Sequence, residues 1–471
     1  MRRRFGSSHL SIFWPRRFLI ASPTNLRDMG DAMKLLRNLL GACLSAALLA
    51  ACGAGNNGLD SPTPMAFAPH VAAPQSAVAS SVPQRLKPLF APPLASSRFQ
   101  SLYGFKGSPD GSSPEAALIA VNGELYSTTT TGGTSGNGTV FEVGTSGGER
   151  VLYSFEGGSD GVYPEGGLIH MNGEFYGTTA NGGTNNDGTV FEVRTSGNES
   201  VLYSFAGGKD GAHPPGGVIT MNGTLYGTTT FGGKGSCTSG CGTVFEVNRS
   251  GAEHVLYRFN GRADGANPQA GLIAVNGRLY GTTGFGGANN VGTLFDVSTS
   301  GKESVLYSFK GGKDGVEPTA ALVAMNGTLY GTASEGGTMC SSSSGPSGCG
   351  IVFAVSASSG TERVLYRFKG GKDGREPRAA LIATSGTLYG TTRYGGDLSD
   401  CVGVGKGCGT IFEMSTSGEE SVLYRFTNTI DGAFPLAGLV AVDGVLYGAA
   451  NSAGNGCGGY DGCGTIFELI P

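Results

Sequence analysis

The histidines of this chain are too few and too scattered to suggest a catalytic centre. Three of them, His170, His213 and His254, lie after residue 97, each in a different strand context. None stands at metal-ligand spacing from another. No Gly-x-Ser-x-Gly turn and no Ser/His/Asp set is apparent. The sequence therefore gives no motif for nucleophilic or metal-assisted catalysis.

Carboxylates are the other groups that could do chemistry. Seven aspartates occur in the pattern Asp-Gly-x-x-Pro, namely Asp110, Asp160, Asp210, Asp264, Asp314, Asp373 and Asp431. Calcium needs six or more oxygens at each site, which one aspartate per turn does not supply. We therefore expect each aspartate to accept a backbone hydrogen bond in its own turn, where glycine takes a positive φ. We predict no metal ion and no cofactor.

The ten cysteines divide into two groups. Cys43 and Cys52 lie near the N-terminus, and the other eight form four local pairs. The pairs are Cys237 with Cys241, Cys340 with Cys349, Cys401 with Cys408, and Cys457 with Cys463. An even number of cysteines in an exported chain predicts disulfides. Zinc is the alternative, but the spacings vary and no histidine accompanies them.

These groups are carried by a repeated unit. The pattern Leu-Tyr-x-Phe begins at Leu102, Leu152, Leu202, Leu256, Leu306, Leu365 and Leu423, at intervals of 50 to 59 residues. Each copy contains four short β-type segments, as in Val151–Phe155, Gly167–Met171, Glu174–Thr179 and Thr189–Val193. The second and third segments of this set are joined by Asn-Gly, a strong hairpin signal. No segment of the repeats shows a helical period.

Four-stranded units of this length predict an all-β, seven-bladed β-propeller, because one small sheet cannot bury both of its faces alone. A β-helix is the alternative, although its rungs would be shorter. The blades are expected at 116–155, 166–205, 216–259, 270–309, 320–368, 379–426 and 437–469. The last blade lacks its fourth strand. We predict that Arg98–Phe105 supplies it, pairs beside Thr465–Leu469 and closes the ring, which leaves no exposed sheet edge there.

The strand order resembles a kelch blade, although the tryptophan expected in kelch repeats is missing. The unit Leu-Tyr-Gly-Thr-Thr, Gly-Gly, Gly-Thr-Val-Phe, Leu-Tyr-Ser-Phe is more similar to bacterial tandem repeats called GloVer repeats. The resemblance covers residues 98–471. Three copies depart from it, at Ser127, Ala333 and Ala449-Ala450. It implies a repeated β-fold behind a surface anchor, and no particular activity.

The N-terminal part has the pattern of an export signal. Lys34 and Arg37 precede an apolar run over 39–49, which is too short to span a bilayer comfortably. It ends in Leu-Ala-Ala-Cys, which resembles the bacterial lipoprotein box and implies lipidation of Cys52. We interpret residues 1–52 as leader and signal peptide, with residues 1–32 as a wrongly assigned gene start. An ordinary signal peptide with Cys52 incidental is the alternative.

Residues 53–97 are rich in Pro, Ala and Ser and lack periodicity. They predict a disordered tether, because such a segment buries too little apolar surface to offset its ordering entropy. Gly53, rather than Asp, follows the cysteine, which favours the outer membrane or cell surface. We expect contact with the membrane through the lipid only.

The charge argues against nucleic acid as a partner. The first 52 residues hold eight Lys or Arg and two Asp or Glu, which leaves 24 positive and 34 negative residues after them. No run of Lys or Arg occurs there, and nucleic acid requires a positive surface. We expect a monomer whose partner is a glycan or a surface protein.

One face of the propeller varies between copies. In an up-and-down blade, the Gly-rich loop and the Asp-Gly-x-x-Pro loop open on the same face. Candidate binding residues in these loops are Tyr163, His213, Phe231, Phe285, Glu317, Glu335, Glu376, Tyr394 and Phe434. Variable loops on a constant scaffold commonly form binding surfaces, and aromatics can stack on sugars. Ordinary loop drift explains the same variation.

The first functional hypothesis is a non-enzymatic binding module for glycan or protein. A structural envelope protein without a specific ligand is the second. The third is a carbohydrate-active enzyme that uses Glu317, Glu335 or Glu376, since glycoside cleavage needs two carboxyls about 5–10 Å apart.

Overall fold

The computed structural model describes residues 97–471, except 343–344, 397–400, 402–405, 455–456 and 458–461. The predicted leader, Cys52 and all of the predicted tether but Ser97 lie outside the described residues. Within the described part, no helix is long and apolar enough to cross a membrane.

Numbered along the chain, the strands of the first half are β1 (Arg98–Gly104), β2 (Gly111–Ser112), β3 (Ile119–Val121), β4 (Glu124–Thr129), β5 (Thr131–Gly132), β6 (Thr139–Gly144), β7 (Glu149–Ser154), β8 (Ile169–Met171), β9 (Glu174–Thr179), β10 (Thr189–Arg194), β11 (Glu199–Ser204), β12 (Val218–Met221), β13 (Thr224–Thr229), β14 (Thr243–Val247) and β15 (Glu253–Arg258). Those of the second half are β16 (Ile273–Val275), β17 (Arg278–Thr283), β18 (Thr293–Ser298), β19 (Glu303–Ser308), β20 (Val323–Met325), β21 (Thr328–Ala333), β22 (Met339–Ser342), β23 (Gly345–Gly348), β24 (Ile351–Ser356), β25 (Glu362–Arg367), β26 (Ile382–Thr384), β27 (Thr387–Thr392), β28 (Thr410–Ser415), β29 (Glu420–Arg425), β30 (Val440–Val442), β31 (Val445–Ala450) and β32 (Thr465–Ile470).

Twenty-eight of these strands form seven four-stranded antiparallel sheets, one per blade, and the other four form two two-stranded sheets, β2-β5 and β22-β23. From the first strand to the fourth, blades 1 to 6 are β3-β4-β6-β7, β8 to β11, β12 to β15, β16 to β19, β20-β21-β24-β25 and β26 to β29. The only helical turns among the described residues are 3₁₀ turns at Gly312–Asp314 and Gly371–Asp373, both in Asp-Gly loops. The predicted all-β, seven-bladed propeller is confirmed.

The seventh blade is closed by the N-terminal strand. Its order is β30-β31-β32-β1, and β1 pairs antiparallel with β32 from Arg98 opposite Ile470 to Gly104 opposite Thr465. Phe99 of β1 stacks on Tyr424 of blade 6 at 3.9 Å between ring centroids. The predicted closure is confirmed, and it buries an aromatic contact between blades as well as pairing an edge.

Small residues occupy the centre of the ring. A pair of Ala or Gly residues precedes each first strand, and Ala117, Ala270, Ala321 and Ala380, from four different blades, pack in one cluster. A Cβ on Gly166 would collide with the backbone nitrogen of Gly217 in the next blade. The blades therefore approach one another backbone to backbone at the axis, where only Ala and Gly fit.

Threonine hydroxyls join neighbouring blades around this centre. Thr128, in the second strand of blade 1, donates to the carbonyl of Pro164 in blade 2 at 2.9 Å. Equivalent bonds run from Thr228 to Ala270, Thr282 to Ala320, Thr332 to Ala379 and Thr391 to Pro435. Ala449 takes this position in blade 7, so it provides no hydroxyl for the contact with blade 1. The Thr-rich segments thus hold the ring together.

All seven aspartates of the Asp-Gly loops have a structural role. Asp110 accepts from the Tyr103 hydroxyl at 2.8 Å and from the Lys106 backbone N–H at 2.9 Å. Tyrosine hydroxyls bond the other six aspartates in the same way. The expected backbone hydrogen bond to the aspartate is present in each loop. The second hydrogen bond, from the tyrosine of the Leu-Tyr-x-Phe unit, was not expected from the sequence.

A glutamate faces six of these Tyr-Asp pairs from the next blade. We call each contact between the fourth strands of neighbouring blades an outer seam. The glutamates are the first residues of the fourth strands, Glu149, Glu199, Glu253, Glu303, Glu362 and Glu420. Burial, and next the aspartate of the preceding blade, raises the pKa of Glu253 to about 8 and of the other five to about 7. At the seam between blades 6 and 7, Phe99 stands at the glutamate position.

The eight paired cysteines form the four predicted disulfides. The bridges join Cys237 to Cys241, Cys340 to Cys349, Cys401 to Cys408, and Cys457 to Cys463. Their Cα atoms lie 5.2 to 5.6 Å apart, within the usual range for disulfides. Such bridges are typical of oxidising compartments, which points to a location outside the cytoplasm.

The second cysteine of each bridge is a core residue. Each bridge lies in the loop that precedes the third strand of a blade, and its second cysteine stands just before that strand. These second cysteines are buried in the apolar clusters between blades, and they are Cys241, Cys349, Cys408 and Cys463. The bridges therefore tie the longer Gly-rich loops to the packed body of the propeller.

Ring closure predicts a large effect of one side chain. Phe99→Ala should lower the free energy of unfolding by about 2–3 kcal/mol, because the half-buried ring packs on Tyr424 and on Phe467. Chemical unfolding followed by tyrosine fluorescence measures this. Gln100→Ala, at an exposed position of the same strand, is the control. Equal stability of the Phe99 variant and the wild type would contradict closure by β1.

The seam glutamates predict an unusual dependence of stability on pH. Because their pKa is raised in the folded chain, the folded state holds protons that the unfolded state releases. This stabilisation is complete below the unfolded pKa of about 4.5 and is lost as the pH rises through 7 to 8. The melting temperature should therefore rise when the pH is lowered from 8.5 to 6.

Glu303→Gln imitates the protonated carboxyl and should raise the melting temperature at pH 8.5 but not at pH 5. Glu419→Gln, at an exposed position away from the Tyr-Asp pairs, should change neither. A melting temperature that falls steadily from pH 8.5 to 6 would show that the seam carboxyls do not bind these protons.

Candidate functional site

The two variable loops of each blade meet at one end of the propeller, which we call the loop face. In blade 2, Val162 of the Asp-Gly-x-x-Pro loop forms a β-bridge with Asn181 of the Gly-rich loop. Equivalent pairs are Ser112–Thr131, Ala212–Phe231, Ala266–Phe285, Val316–Glu335, Arg375–Tyr394 and Ala433–Ser452. The structure thus brings the predicted loops together in all seven blades.

The residue before each proline has a left-handed backbone. The φ angles are +57° at Ser113, +59° at Tyr163, +60° at His213, +53° at Asn267, +55° at Glu317, +54° at Glu376 and +56° at Phe434. This conformation is disfavoured for residues other than Gly, Asn, Asp and His. Only His213 and Asn267 of the seven belong to those types, so side chains of many kinds are displayed at a position where most are strained.

Neighbouring blades hold these residues in place. The N–H of Tyr163 donates to the carbonyl of Asn137 in blade 1 at 3.1 Å, and its carbonyl accepts from Ala180 N–H in blade 2 at 2.9 Å. The following proline packs on a glycine of the preceding blade, where a Cβ on Gly138 would lie 2.6 Å from Pro164 Cδ. The conformation is therefore imposed by packing between blades, whatever the side chain.

The aromatic candidates have different surroundings. Phe231 lies 5.6 Å from the His213 ring in blade 3. Phe285 is partly buried against the core of its blade. Tyr394 meets Phe434 edge to face at 5.4 Å, and cations lie over its ring, with Arg393 Cζ at 4.8 Å. Lys406 Nζ lies 4.9 Å from the same ring centre.

The three carboxylate candidates belong to one charged group. Burial, and next the charge of Glu335, raises the pKa of Glu317, while Arg378 opposes this rise. Glu376 is an ion-paired carboxylate, with its oxygens 3.3 Å from Arg375 Nη2 and 3.7 Å from Arg378 Nη2. Glu317, whose pKa is raised, therefore neighbours a carboxyl that is ion-paired with two arginines, so the two groups have different surroundings.

A second ring of residues was not anticipated from the sequence. The positions directly after each proline are Glu115, Glu165, Pro215, Gln269, Thr319, Arg378 and Leu436, which we call the inner ring. They stand beside the Ala and Gly pairs of the axis. In every copy the residue before this position is Pro and the residue after it is Ala or Gly, whereas the position itself differs from copy to copy. That variation is the only signal for the inner ring in the sequence.

Two inner-ring carboxyls are strongly perturbed. Glu115 accepts from Asn451 Nδ2 of blade 7 at 2.7 Å, and burial raises its pKa to about 7 against the opposing charge of Arg393. Burial and the charge of Glu115 raise the pKa of Glu165 well above its usual range. Glu165 Oε2 lies 3.9 Å from Nε2 of His213, whose pKa burial lowers to about 4. Burial thus disfavours the charged form of both Glu165 and His213.

Five of the candidates belong to two groups. His213 belongs to a group in blades 2 and 3, and the other group, in blades 5 to 7, holds Glu317, Glu376, Tyr394 and Phe434. Tyr163 is partly buried on the same face and is assigned to neither group. Among the described residues, no group of three or more His, Cys, Asp or Glu could hold a metal ion.

Several solved structures are similar to this chain over much of its length. It is similar to an oligogalacturonate lyase from Vibrio parahaemolyticus at 10% identity and a TM-score of 0.45, over 80% of this chain and 97% of that one. It is similar to a putative 6-phosphogluconolactonase from Bacteroides fragilis at 14% identity and a TM-score of 0.44, over 70% and 89% of the chains. Likeness at this level says nothing about activity.

No curated protein matches the sequence. A model of the Gloeobacter/Verrucomicrobia repeat matches residues 89–238, 151–342, 199–402 and 339–471, which together span the whole propeller. The match agrees with the GloVer resemblance of the repeated unit. The chain therefore belongs to the family of Gloeobacter/Verrucomicrobia repeat proteins.

Proposed function

We propose that this protein is an exported, lipid-anchored envelope protein whose loop face binds a glycan or a protein without catalysis. The observation that carries the proposal is the set of seven left-handed positions before the prolines. Five of them hold residues for which this backbone is unfavourable, among them Tyr163, Glu317 and Phe434. Because packing between blades imposes this backbone, the fold does not require any particular residue type at these positions. We infer that each residue is selected for its contacts with a ligand.

The rest of the propeller supports this assignment by contrast. The aspartates, the threonines and the seam tyrosines have the same partners in nearly every blade, which accounts for them structurally. The residues of the loop face differ between blades and have few common partners. A scaffold of constant contacts with variable residues at one end is the organisation of a recognition surface.

Lipid anchoring rests on Cys52 and the segment before it. Cys52→Ser should move the protein from the membrane fraction to the soluble fraction, because the acylated sulfur is then absent. Fractionation of cells that produce either form measures this. Cys43→Ser, within the same signal segment, is the matched control. A Cys52 variant that still sediments with membranes would refute the anchor.

Binding by the loop face predicts a loss in an aromatic variant. The mature chain in detergent should bind a component of a broad panel of glycans and envelope extracts. The triple change Phe231→Ala, Phe285→Ala and Tyr394→Ala should weaken this binding by about tenfold or more, since buried aromatic contacts dominate recognition. The control combines Met171→Ala, Met221→Ala and Met325→Ala. These half-buried methionines are the last residues of three first strands, at the end of the blades away from the loop face.

Melting temperatures of both variants separate loss of contact from loss of fold. Absence of binding by the wild type would favour a structural envelope role. The carbohydrate-active alternative is favoured by one observation, the contrast between Glu317 and the ion-paired Glu376. Turnover of a glycan that Glu317→Gln abolishes would replace the binding proposal with that enzyme.

A further inference from the structure

The outer rim of the loop face carries two equal clusters of cations. Lys310 and Lys313 follow the fourth strand of blade 4, and Arg367 ends the fourth strand of blade 5. The Arg367 Nε–H donates to the Lys313 carbonyl at 2.9 Å, which fixes the guanidinium beside the lysine. Lys310 Nζ lies 5.5 Å from the Tyr307 ring centre. Three cations thus gather at the seam between blades 4 and 5.

The next seam repeats this arrangement. Lys369 and Lys372 follow blade 5, and Arg425 ends the fourth strand of blade 6. Arg425 Nε–H donates to the Lys372 carbonyl at 3.0 Å, and Lys369 Nζ lies 5.3 Å from the Tyr366 ring centre. All six side chains are exposed, and none makes an ion pair with another described residue.

The seam between blades 2 and 3 comes nearest to this arrangement, since Arg258 Nε–H donates to the Lys209 carbonyl at 2.8 Å, but Ala206 stands at the first position. All five of the other seams lack at least one of the three cations. They hold Lys106, Pro109 and Ser154; Glu156, Ser159 and Ser204; Ala206, Lys209 and Arg258; Asn260, Ala263 and Ser308; and Thr427, Ile430 and Gly104. The propeller fold therefore does not require these cations. Their presence at two adjacent seams is a property of this chain, which we call the basic arc, defined by Lys310, Lys313, Arg367, Lys369, Lys372 and Arg425.

Nearby acids offset only part of the charge of the arc. Asp314 accepts hydrogen bonds from the Tyr307 hydroxyl at 2.9 Å and from Lys310 N–H at 2.7 Å, so its carboxylate is turned to the seam. The pKa of Glu362 and of Glu420 is raised to about 7, mainly by burial. Near neutral pH these two glutamates therefore carry only part of a negative charge, while the arginines and lysines stay charged.

We infer that the basic arc binds an anionic polysaccharide, with each cluster holding acidic groups of the polymer. Two equal clusters on adjacent blades suit a chain of repeating charged units, because the second cluster binds at high effective concentration once the first is engaged. Guanidinium groups anchored through Nε keep Nη donors, whose geometry suits a carboxylate or sulfate. This inference rests on the proposed binding function and specifies its partner.

A polysaccharide is favoured over nucleic acid by the charge around the arc. Double-stranded DNA carries a charge about every 1.7 Å and is bound by broad positive surfaces. Here six cations stand on a body with 24 positive and 34 negative residues after residue 52. A continuous polyanion of that density would meet repulsion beyond the arc, whereas a polymer with sparser charges can place them at the two clusters.

The test uses alginate, a linear polymer with one carboxylate per sugar, in EDTA so that calcium does not cross-link it. Calorimetric titration of the mature chain in detergent gives the affinity. Raising NaCl from 50 to 200 mM should weaken wild-type binding. The arc variant, which should weaken binding by roughly tenfold or more, combines Lys313→Ser, Arg367→Ser, Lys372→Ser and Arg425→Ser. Serine already stands at the equivalent positions of other blades, as Ser159, Ser204 and Ser308 do.

The control variant removes four cations at the opposite face, by Arg150→Ser, Arg194→Ser, Lys302→Ser and Arg363→Ser. It has the same net charge as the arc variant and should keep wild-type affinity. Equal affinities of the two variants would overturn the inference, as would equal binding of neutral dextran. Tighter binding of a DNA duplex than of alginate would overturn the choice of polysaccharide.

The same experiments separate this inference from the proposed function. If a glycan binds in a manner that depends on Phe231, Phe285 and Tyr394, and alginate does not bind, the loop face is a recognition surface and the arc is not its acidic subsite. If the arc variant alone loses alginate, the inference holds.

Discussion

Seven sheets can meet around one axis only where the innermost residues are small enough for backbones to touch. The Ala and Gly pairs before each first strand meet this steric demand, and Gly166 shows how strict it is, since a single Cβ would collide with the next blade. The short first strands and the threonine bonds to carbonyls of the next blade depend on this close approach.

The joints around the ring fall into two physical types. At six seams a tyrosine, an aspartate and a glutamate share protons and hydrogen bonds, and the two carboxyls coexist because one of them is readily protonated. At the joint between blades 6 and 7, the strand that completes the sheet comes from the other end of the repeats, and Phe99 packs on Tyr424. Every joint also has an apolar cluster shared by two blades, so the closing joint differs only at its outer seam, where Phe99 takes the place of the glutamate.

Much of the fold was predictable because its causes are local and repeated. Asn-Gly turns, the Leu-Tyr-x-Phe period and the unmatched last blade were enough to predict the blades and the closure by β1. The inner ring was not predictable, because Glu115 meets Asn451 across 336 positions and its character depends on burial at the axis. The left-handed backbone before each proline was also missed, since Tyr, Glu and Phe give no sign of it.

The basic arc was missed for the same reason. Arg367 lies 54 positions after Lys313, so no run of cations is visible along the chain, and the absence of such a run was a poor guide to the surface. A repeat protein places equivalent positions side by side, so its surface charge is found by comparing one position across successive copies. In that comparison, only two seams hold all three cations, and these two are adjacent.

The loop face therefore separates two kinds of charge. The carboxyls of the inner ring, Glu115 and Glu165, have a raised pKa because of burial, which reduces their negative charge compared with exposed carboxyls. The cations of the arc are exposed on long side chains and act over about a Debye length, roughly 8 Å at physiological salt. A partner that approaches this face is attracted first at the rim, and the aromatic and acidic groups nearer the axis act only on contact. Long-range attraction of the partner would then depend on the cations of the arc, and discrimination between partners would depend on the aromatic and acidic groups. Variants of the arc should change the dependence of binding on ionic strength, and variants of the other groups should change its specificity.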